Sequence, residues 1–411
     1  MSLKRNALHM LGGQLSVALF QGLQFLLIAR ALGPSEFGKM AGVLAITSAL
    51  LPFSGLGAGN VMVMRLARQE GAAALYLGNA LLVATFSGLA LIGLAAWGGP
   101  WFLRNPDALS LILIFGVSEI LVTKFIDIAC HAFYGLEQHA IASQFMFVQS
   151  VARFVVAGAY YLLVPQASAA TWAWLHLLAG LIALLIVSIM TVRRVGRPQI
   201  QPVLAMRELK VGVFFSIGLS AKSIYTDVDK AVLSRYAAHS DSGAYTAAFR
   251  LIYMAFTPIM SVLLASQVKF FKAGGSQQGL SATTRFATKL AGYGLVYCLL
   301  FAVAVYFCAP LVEWALGPAY RLSAEVLKSL ALLPLALMLQ ALCSEALTGA
   351  NYQRARSIAQ VLAASLCVAL NFSLVPSMGW HGAVISTYVS QLALALMAGG
   401  TIWFLLRRSP R

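Results

Sequence analysis

The sequence predicts an all-α polytopic membrane protein: twelve transmembrane helices in two six-helix halves around a central cavity, with both termini cytoplasmic. Three observations lead there. Sixty per cent of the 411 residues are hydrophobic and ten per cent charged, against about 45–50% and about 25% in soluble globular domains. Twelve stretches stay apolar for the roughly 20 residues that a helix needs to cross a bilayer. The basic residues gather at alternate ends of those stretches, as the positive-inside rule requires of spanning helices.

The expected spans begin near Leu8, Ala41, Leu75, Ala108, Ala142, Thr171, Val213, Ala244, Ala287, Glu325, Arg356 and Trp380. Gly33-Pro34, Gly98-Gly99-Pro100 and Gly317-Pro318 mark the sharpest boundaries, because glycine and proline end or break helices. The first apolar run, Leu8 to Ala29, is longer than the h-region of about 7–15 residues in a secretory signal, so it reads as a retained span. With the N-terminus inside, the inner connections hold eighteen Lys and Arg and the outer ones five, and an even number of spans returns the C-terminus to the same side. The connection around Glu137 and His139 is the exception, being neutral to acidic. The seven tryptophans fall mostly near span ends, where an interfacial belt accounts for them.

The net charge of +16 does not point to nucleic acid, since the cations cluster at the ends of apolar runs and not on a soluble face. The five cysteines lie within predicted spans and lack metal-ligand spacing, so neither disulfide, zinc nor another cofactor is indicated.

The connection 193–211 is the longest inner one and divides the chain into a half at 1–192 and a half at 212–411. Sliding the halves by about 205 residues places Arg30 on Arg235, Glu36 on Asp241 and Gly38 on Gly243. At an offset of 214, Ala132 to Gly135 falls on Ala346 to Gly349. Six spans per half give both halves one orientation, and such repeats can rock about a central site in alternating access.

Six cations lie inside predicted spans (Lys124, Arg153, Lys222, Lys230, Arg250 and Lys328), with carboxylates at Glu119, Asp127, Asp227, Asp229 and Glu345. A charge at the bilayer centre costs about 2.5–3.5 kcal/mol on insertion scales, so such residues face a protein interior or a water-filled path. The seventh span is the most charged.

Several stretches resemble a known family. Ile28-Ala-Arg-Ala-Leu-Gly-Pro-Ser-Glu-Phe-Gly38, then Gly55-Leu-Gly and Arg65-Leu-Ala-Arg68, is similar to the start of polysaccharide biosynthesis proteins. Asp229, Gly243-Ala-Tyr245 and Ala248-Phe-Arg250 resemble that family's seventh and eighth spans, and Asn371-Phe-Ser-Leu-Val-Pro376 with Gly379-Trp-His-Gly-Ala383 its last connection. These are oligosaccharide-lipid flippases of the multidrug/oligosaccharidyl-lipid/polysaccharide exporter superfamily. The resemblance implies a monomeric transporter in a bacterial inner membrane that flips a polyprenyl-diphosphate-linked oligosaccharide to the outer leaflet.

On that reading Lys222, Arg153, Lys124 and Arg250 are candidates to line the substrate cavity, arginine because its planar fork holds two oxyanion oxygens. Lys124 with Asp127 and Asp227 with Lys230 are three residues apart, close enough on a helix to pair. Asp229 and Glu119 have no such neighbour, which makes them candidates for coupling to H⁺ or Na⁺. Two other functions are compatible with the composition. A drug or cation antiporter of the same superfamily would favour an acidic interior. A membrane glycan polymerase or ligase would need long outer loops that bring an acid and a base together, and here the outer connections are short.

Overall fold

The computed structural model describes residues 3–69, 71–276 and 279–408, with side chains from Ser16 onward except at 211, 214, 215, 217–219, 222, 264, 265, 268 and 408. All regular structure among the described residues is helical, and the chain divides into two compact units, Met1–Ser223 and Ile224–Arg411.

The first unit opens with α1 (Leu3–Leu50), which runs through both of the first two expected spans. A break at Gly33 (φ 66°, ψ 170°) bends it. The residue before a proline is pushed out of the helical region, and glycine alone adopts this backbone without a Cβ penalty, so Gly33-Pro34 bends the helix without a loop. A 3-10 turn, Leu51–Phe53, leads to α2 (Ala58–Ala67) and then α3 (Ala73–Leu103). Helix α4 (Ala108–Phe115) passes without a turn through a π-helical stretch, Gly116–Thr123, into α5 (Lys124–Gly135). Helices α6 (His139–Leu163) and α7 (Ala169–Val195) follow, the latter capped by Ser168, whose hydroxyl accepts from the Thr171 amide. A Glu36 carboxylate oxygen accepts from the Ala169 amide at 2.8 Å, a favourable charge at the positive end of α7.

The core of this unit is built from small and apolar side chains. Ile126, Ala129, Cys130 and Phe133 of α5 pack on Phe145 of α6 and Ala183 and Val187 of α7. Met62 and Leu66 of α2 pack on Leu77, Ala80 and Ala84 of α3 and on Ala132. Alanine at these contacts lets helix backbones approach, which is how membrane helices associate without a hydrophobic driving force between them.

Helix α8 (Pro202–Tyr236) begins within the stretch 193–211 that the sequence assigns to a connection. That stretch is therefore only partly loop: Arg193 and Arg194 complete α7, and the chain is non-helical only from Gly196 to Gln201.

The second unit takes the rest of α8, α9 (His239–Gly274), α10 (Gly279–Cys308), α11 (Leu311–Leu316) and a 3-10 turn Pro318–Tyr320. Then come α12 (Arg321–Ser329), α13 (Leu333–Gly349), α14 (Gln353–Met378) and α15 (Trp380–Arg408). The segments Pro318–Ser329 and Leu333–Gly349 meet at 49°, with Pro334 in the first turn beyond the break.

Nine helices among the described residues are long and apolar enough to cross a membrane, and ten if the bent pair is one span. The difference from the twelve expected has two sources. Helix α1 joins the first two expected segments, and α8 has side chains outside the described residues at 211, 214, 215, 217–219 and 222, which leaves too short a described run to count as a span. Apolar side chains also cover the outside, as with Leu178, Leu181, Leu185 and Ile189 on α7. Such a surface suits lipid, not water.

Candidate functional site

Each unit buries an ionic cluster. In the first, the centre is Glu119, on the π-helical stretch between α4 and α5. One oxygen of its carboxylate receives two donors: an Arg153 guanidinium nitrogen from α6 at 2.8 Å and His176 Nε2 from α7 at 2.6 Å. The same arginine nitrogen donates to Thr123 Oγ1 at 2.8 Å, which also accepts from Gln149 at 3.2 Å. The Thr123 hydroxyl in turn donates to the Ser118 carbonyl, five residues back, at 2.9 Å. In a π-helix the backbone bonds run i→i+5, and the Thr123 hydroxyl follows the same spacing. Three helices are thus tied by one carboxylate.

Glu119 is accordingly not the partnerless carboxylate expected from its neighbours in sequence. Its partners come from 34 and 57 residues away, beyond the reach of any helical spacing. His176 was not singled out by sequence reasoning, although a histidine within a long apolar span is itself an intramembrane ionisable group and so a signal. Arg153 is committed to Glu119 and Thr123.

A second group lies one turn on. Lys124 Nζ is 2.8 Å from an Asp127 carboxylate oxygen, and His131 Nδ1 lies 2.8 Å from the Asp127 carbonyl. The i,i+3 pair is present, with His131 added from the same helix face.

In the second unit the centre is Asp229 on α8, which is buried. One oxygen accepts from the Tyr245 hydroxyl of α9 at 2.6 Å and lies 3.5 Å from Thr387 Oγ1 of α15. The other accepts from the Lys230 amide at 2.8 Å and lies 3.3 Å from Lys230 Nζ. Lys230 also meets Asp227 at 3.1 Å, and its ammonium stands 3.7 Å from the centre of the Phe249 ring. Hydrogen bonds to a charged group are worth about 1.5–3 kcal/mol each, the scale of the cost of holding a charge in the bilayer. Asp229, like Glu119, has partners that local spacing does not reveal: Tyr245 is 16 residues away and Thr387 is 158.

Of the remaining candidates, Arg250 stands on α9 with its side chain exposed. The backbone of Lys222 is helical, but its side chain lies outside the described residues. Among the described residues no three His, Cys, Asp or Glu side chains are grouped to hold a metal ion.

Residues 3–267 match the family model described as polysaccharide biosynthesis protein. No curated protein matches the chain. Among solved structures, the inward-facing conformation of a multidrug resistance MATE family transporter of the MOP superfamily aligns with a TM-score of 0.78 at 14% identity. That alignment covers 98% of this chain and 100% of the other. The lipid II flippase MurJ in its inward closed conformation gives 0.77 at 12% identity over 98% of this chain and 88% of the other. A MOP superfamily transporter from Pyrococcus furiosus, described as having a binding pocket of reverse polarity, gives 0.65 at 14% identity over 98% and 95%. The fold is that of these transporters, and the chain belongs to the polysaccharide biosynthesis protein family.

Proposed function

We propose that this protein flips a polyprenyl-diphosphate-linked oligosaccharide from the cytoplasmic to the outer leaflet of a bacterial inner membrane, for surface polysaccharide biosynthesis. The observation that carries the reading is the coincidence of two facts. The chain belongs to a polysaccharide biosynthesis family, and it has a transporter fold shared with a lipid II flippase over 98% of its length. On this reading twelve spans form two six-helix halves, 1–192 and 212–411, with both termini cytoplasmic. The glycan crosses through a polar cavity while the polyprenyl tail stays in lipid.

The charged residues divide into two roles. Lys222, Arg250, Lys124 and Arg153 are the cations assigned to the glycolipid substrate. The carboxylates of Glu119 and Asp229 couple transport to an ion. Support for the second role is the geometry: protonating Glu119 would weaken two contacts at once, to Arg153 and to His176, and so loosen three helices together. Asp229 holds α8 to α9 and α15 in the same manner.

Deletion of the gene in its own host provides the test. Lipid-linked glycan should accumulate on the cytoplasmic face and surface polysaccharide should fall, both restored by the intact gene and not by a Lys222→Ala, Arg250→Ala double variant made at normal level. Unchanged surface polysaccharide in the deletion strain, with heightened sensitivity to cationic drugs, would favour drug efflux instead.

A further inference from the structure

Between α7 and the charged part of α8 the chain forms a strap, 196–212, whose two sides differ. The inner side is fixed to the first unit. The Gln199 amide donates to the Ala74 carbonyl at 3.0 Å, and the Gln201 amide to Asn79 Oδ1 at 2.7 Å. The Glu208 carboxylate lies 2.9 Å from Arg65. Leu204, Ala205, Glu208 and Leu209 turn toward α2 and α3. Gly78 of α3 permits this docking, because a Cβ there would run into the Gln199 carbonyl.

The outer side is left open. Ile200, Val203 and Met206 are 58%, 79% and 71% exposed. Arg207 and Lys210 stand exposed beside them, on the face of α8 that positions 203, 206, 207 and 210 define at helical spacing. Arg193, Arg194 and Arg197 are exposed just upstream. The only carboxylate from 193 to 210 is Glu208, already held by Arg65. The exposed apolar stripe of α7, through Leu185, Ile189 and Val192, runs straight into this basic and apolar surface. A long helix with an exposed apolar stripe therefore ends in a short amphipathic platform.

We infer that the outer face of this strap binds anionic phospholipid headgroups, with Arg193, Arg194, Arg197, Arg207 and Lys210 on the phosphates and Ile200, Val203 and Met206 set among the upper acyl carbons. The chemistry selects this partner. Clusters of four to eight basic residues next to a span attract anionic lipid, and an apolar row beside them places the platform in the interface and not in water. The fixed inner side means that little ordering accompanies binding. The inference is independent of the glycolipid reading, since it concerns bulk lipid at one membrane surface. Its role would be to anchor the connection from α7 to α8.

The test places an environment-sensitive dye on the Val203→Cys variant of the full chain, in a Cys308→Ser background, reconstituted with doxyl-labelled phosphatidylglycerol or doxyl-labelled phosphatidylcholine at equal mole fraction. Each interfacial cation is worth about fivefold in local anionic lipid. At low salt the phosphatidylglycerol should therefore quench at least about threefold more than the phosphatidylcholine, and high salt should reduce the difference. Adding Arg193→Gln, Arg194→Gln, Arg197→Gln, Arg207→Gln and Lys210→Gln together should abolish it. A dye on Leu181→Cys, within α7, should report equal quenching by both lipids in either background, which checks that the variant is folded. Equal quenching at Val203→Cys overturns the inference, as does no quenching by either lipid. A preference that survives substitution of all five cations, or one seen only when polyprenyl diphosphate is supplied, overturns it as well.

Discussion

Replacing Arg153 with methionine keeps the unbranched apolar stem and removes a nitrogen that serves two acceptors, Glu119 and Thr123, each at 2.8 Å. Breaking a fully buried ion pair from one side costs about 3–5 kcal/mol, because the remaining charge is stranded. Here the two side chains are 15% and 18% exposed, and His176 stays on the carboxylate at 2.6 Å. The expected loss is therefore smaller, about 2–3 kcal/mol. Glu119→Gln gives the second arm of a double-mutant cycle, which isolates the pair from the general effect of either change. The coupling energy should be about 2 kcal/mol, against about 0.2–1 kcal/mol for an exposed pair. Lys39 and Glu36 supply that comparison, at 36% and 26% exposure. Unfolding by dodecyl sulfate in mixed micelles, followed by helical circular dichroism, measures all variants on one scale. A coupling no larger than that of the Lys39 and Glu36 pair would refute the reading of Glu119 as the tie among three helices.

Three further outcomes follow from the geometry. Tyr245→Phe removes a 2.6 Å bond to Asp229 and should cost about 1.5–3 kcal/mol, more than Thr387→Val, whose contact is 3.5 Å; the reverse order in the same unfolding assay would contradict the cluster. Gly78→Ala should lower the yield of monodisperse protein in detergent because its Cβ meets the Gln199 carbonyl, whereas Gly158→Ala, with nothing within 4 Å, should leave it unchanged. A membrane-impermeant maleimide added to intact cells should label Cys308, exposed at the end of α10, and this label should be lost in Cys308→Ser; labelling only after permeabilisation would contradict cytoplasmic termini with twelve spans.

What could be read from the sequence depended on the range of the interaction that decides each feature. Apolar length is a local property, so most helices lie where hydropathy puts them. The Gly33-Pro34 pair also announces a break, but it does not say that the break bends a helix instead of ending it, because that depends on what packs on either side. Pairs three apart, Lys124 with Asp127 and Asp227 with Lys230, are visible because a helix makes them neighbours. Glu119 with His176, and Asp229 with Tyr245 and Thr387, are brought together by packing between helices far apart in the chain. Spacing is silent on those. The π-helical register at Gly116–Thr123 is equally hidden, since a one-residue shift in hydrogen bonding leaves no mark in composition. The strap at 196–212 looked like an ordinary basic connection, and its two-sidedness emerges only once Leu204, Ala205 and Glu208 are seen to be occupied.

The most direct measurement is translocation by the purified protein. Proteoliposomes would carry a fluorescent polyprenyl-diphosphate oligosaccharide in both leaflets, with a membrane-impermeant quencher added outside. With the intact protein, quenching should proceed well past the outer-leaflet fraction at a rate set by protein density, and should stop at that fraction in empty vesicles. Quenching that halts at the outer leaflet despite folded protein, in vesicles that do export a cationic dye, would contradict the glycolipid account.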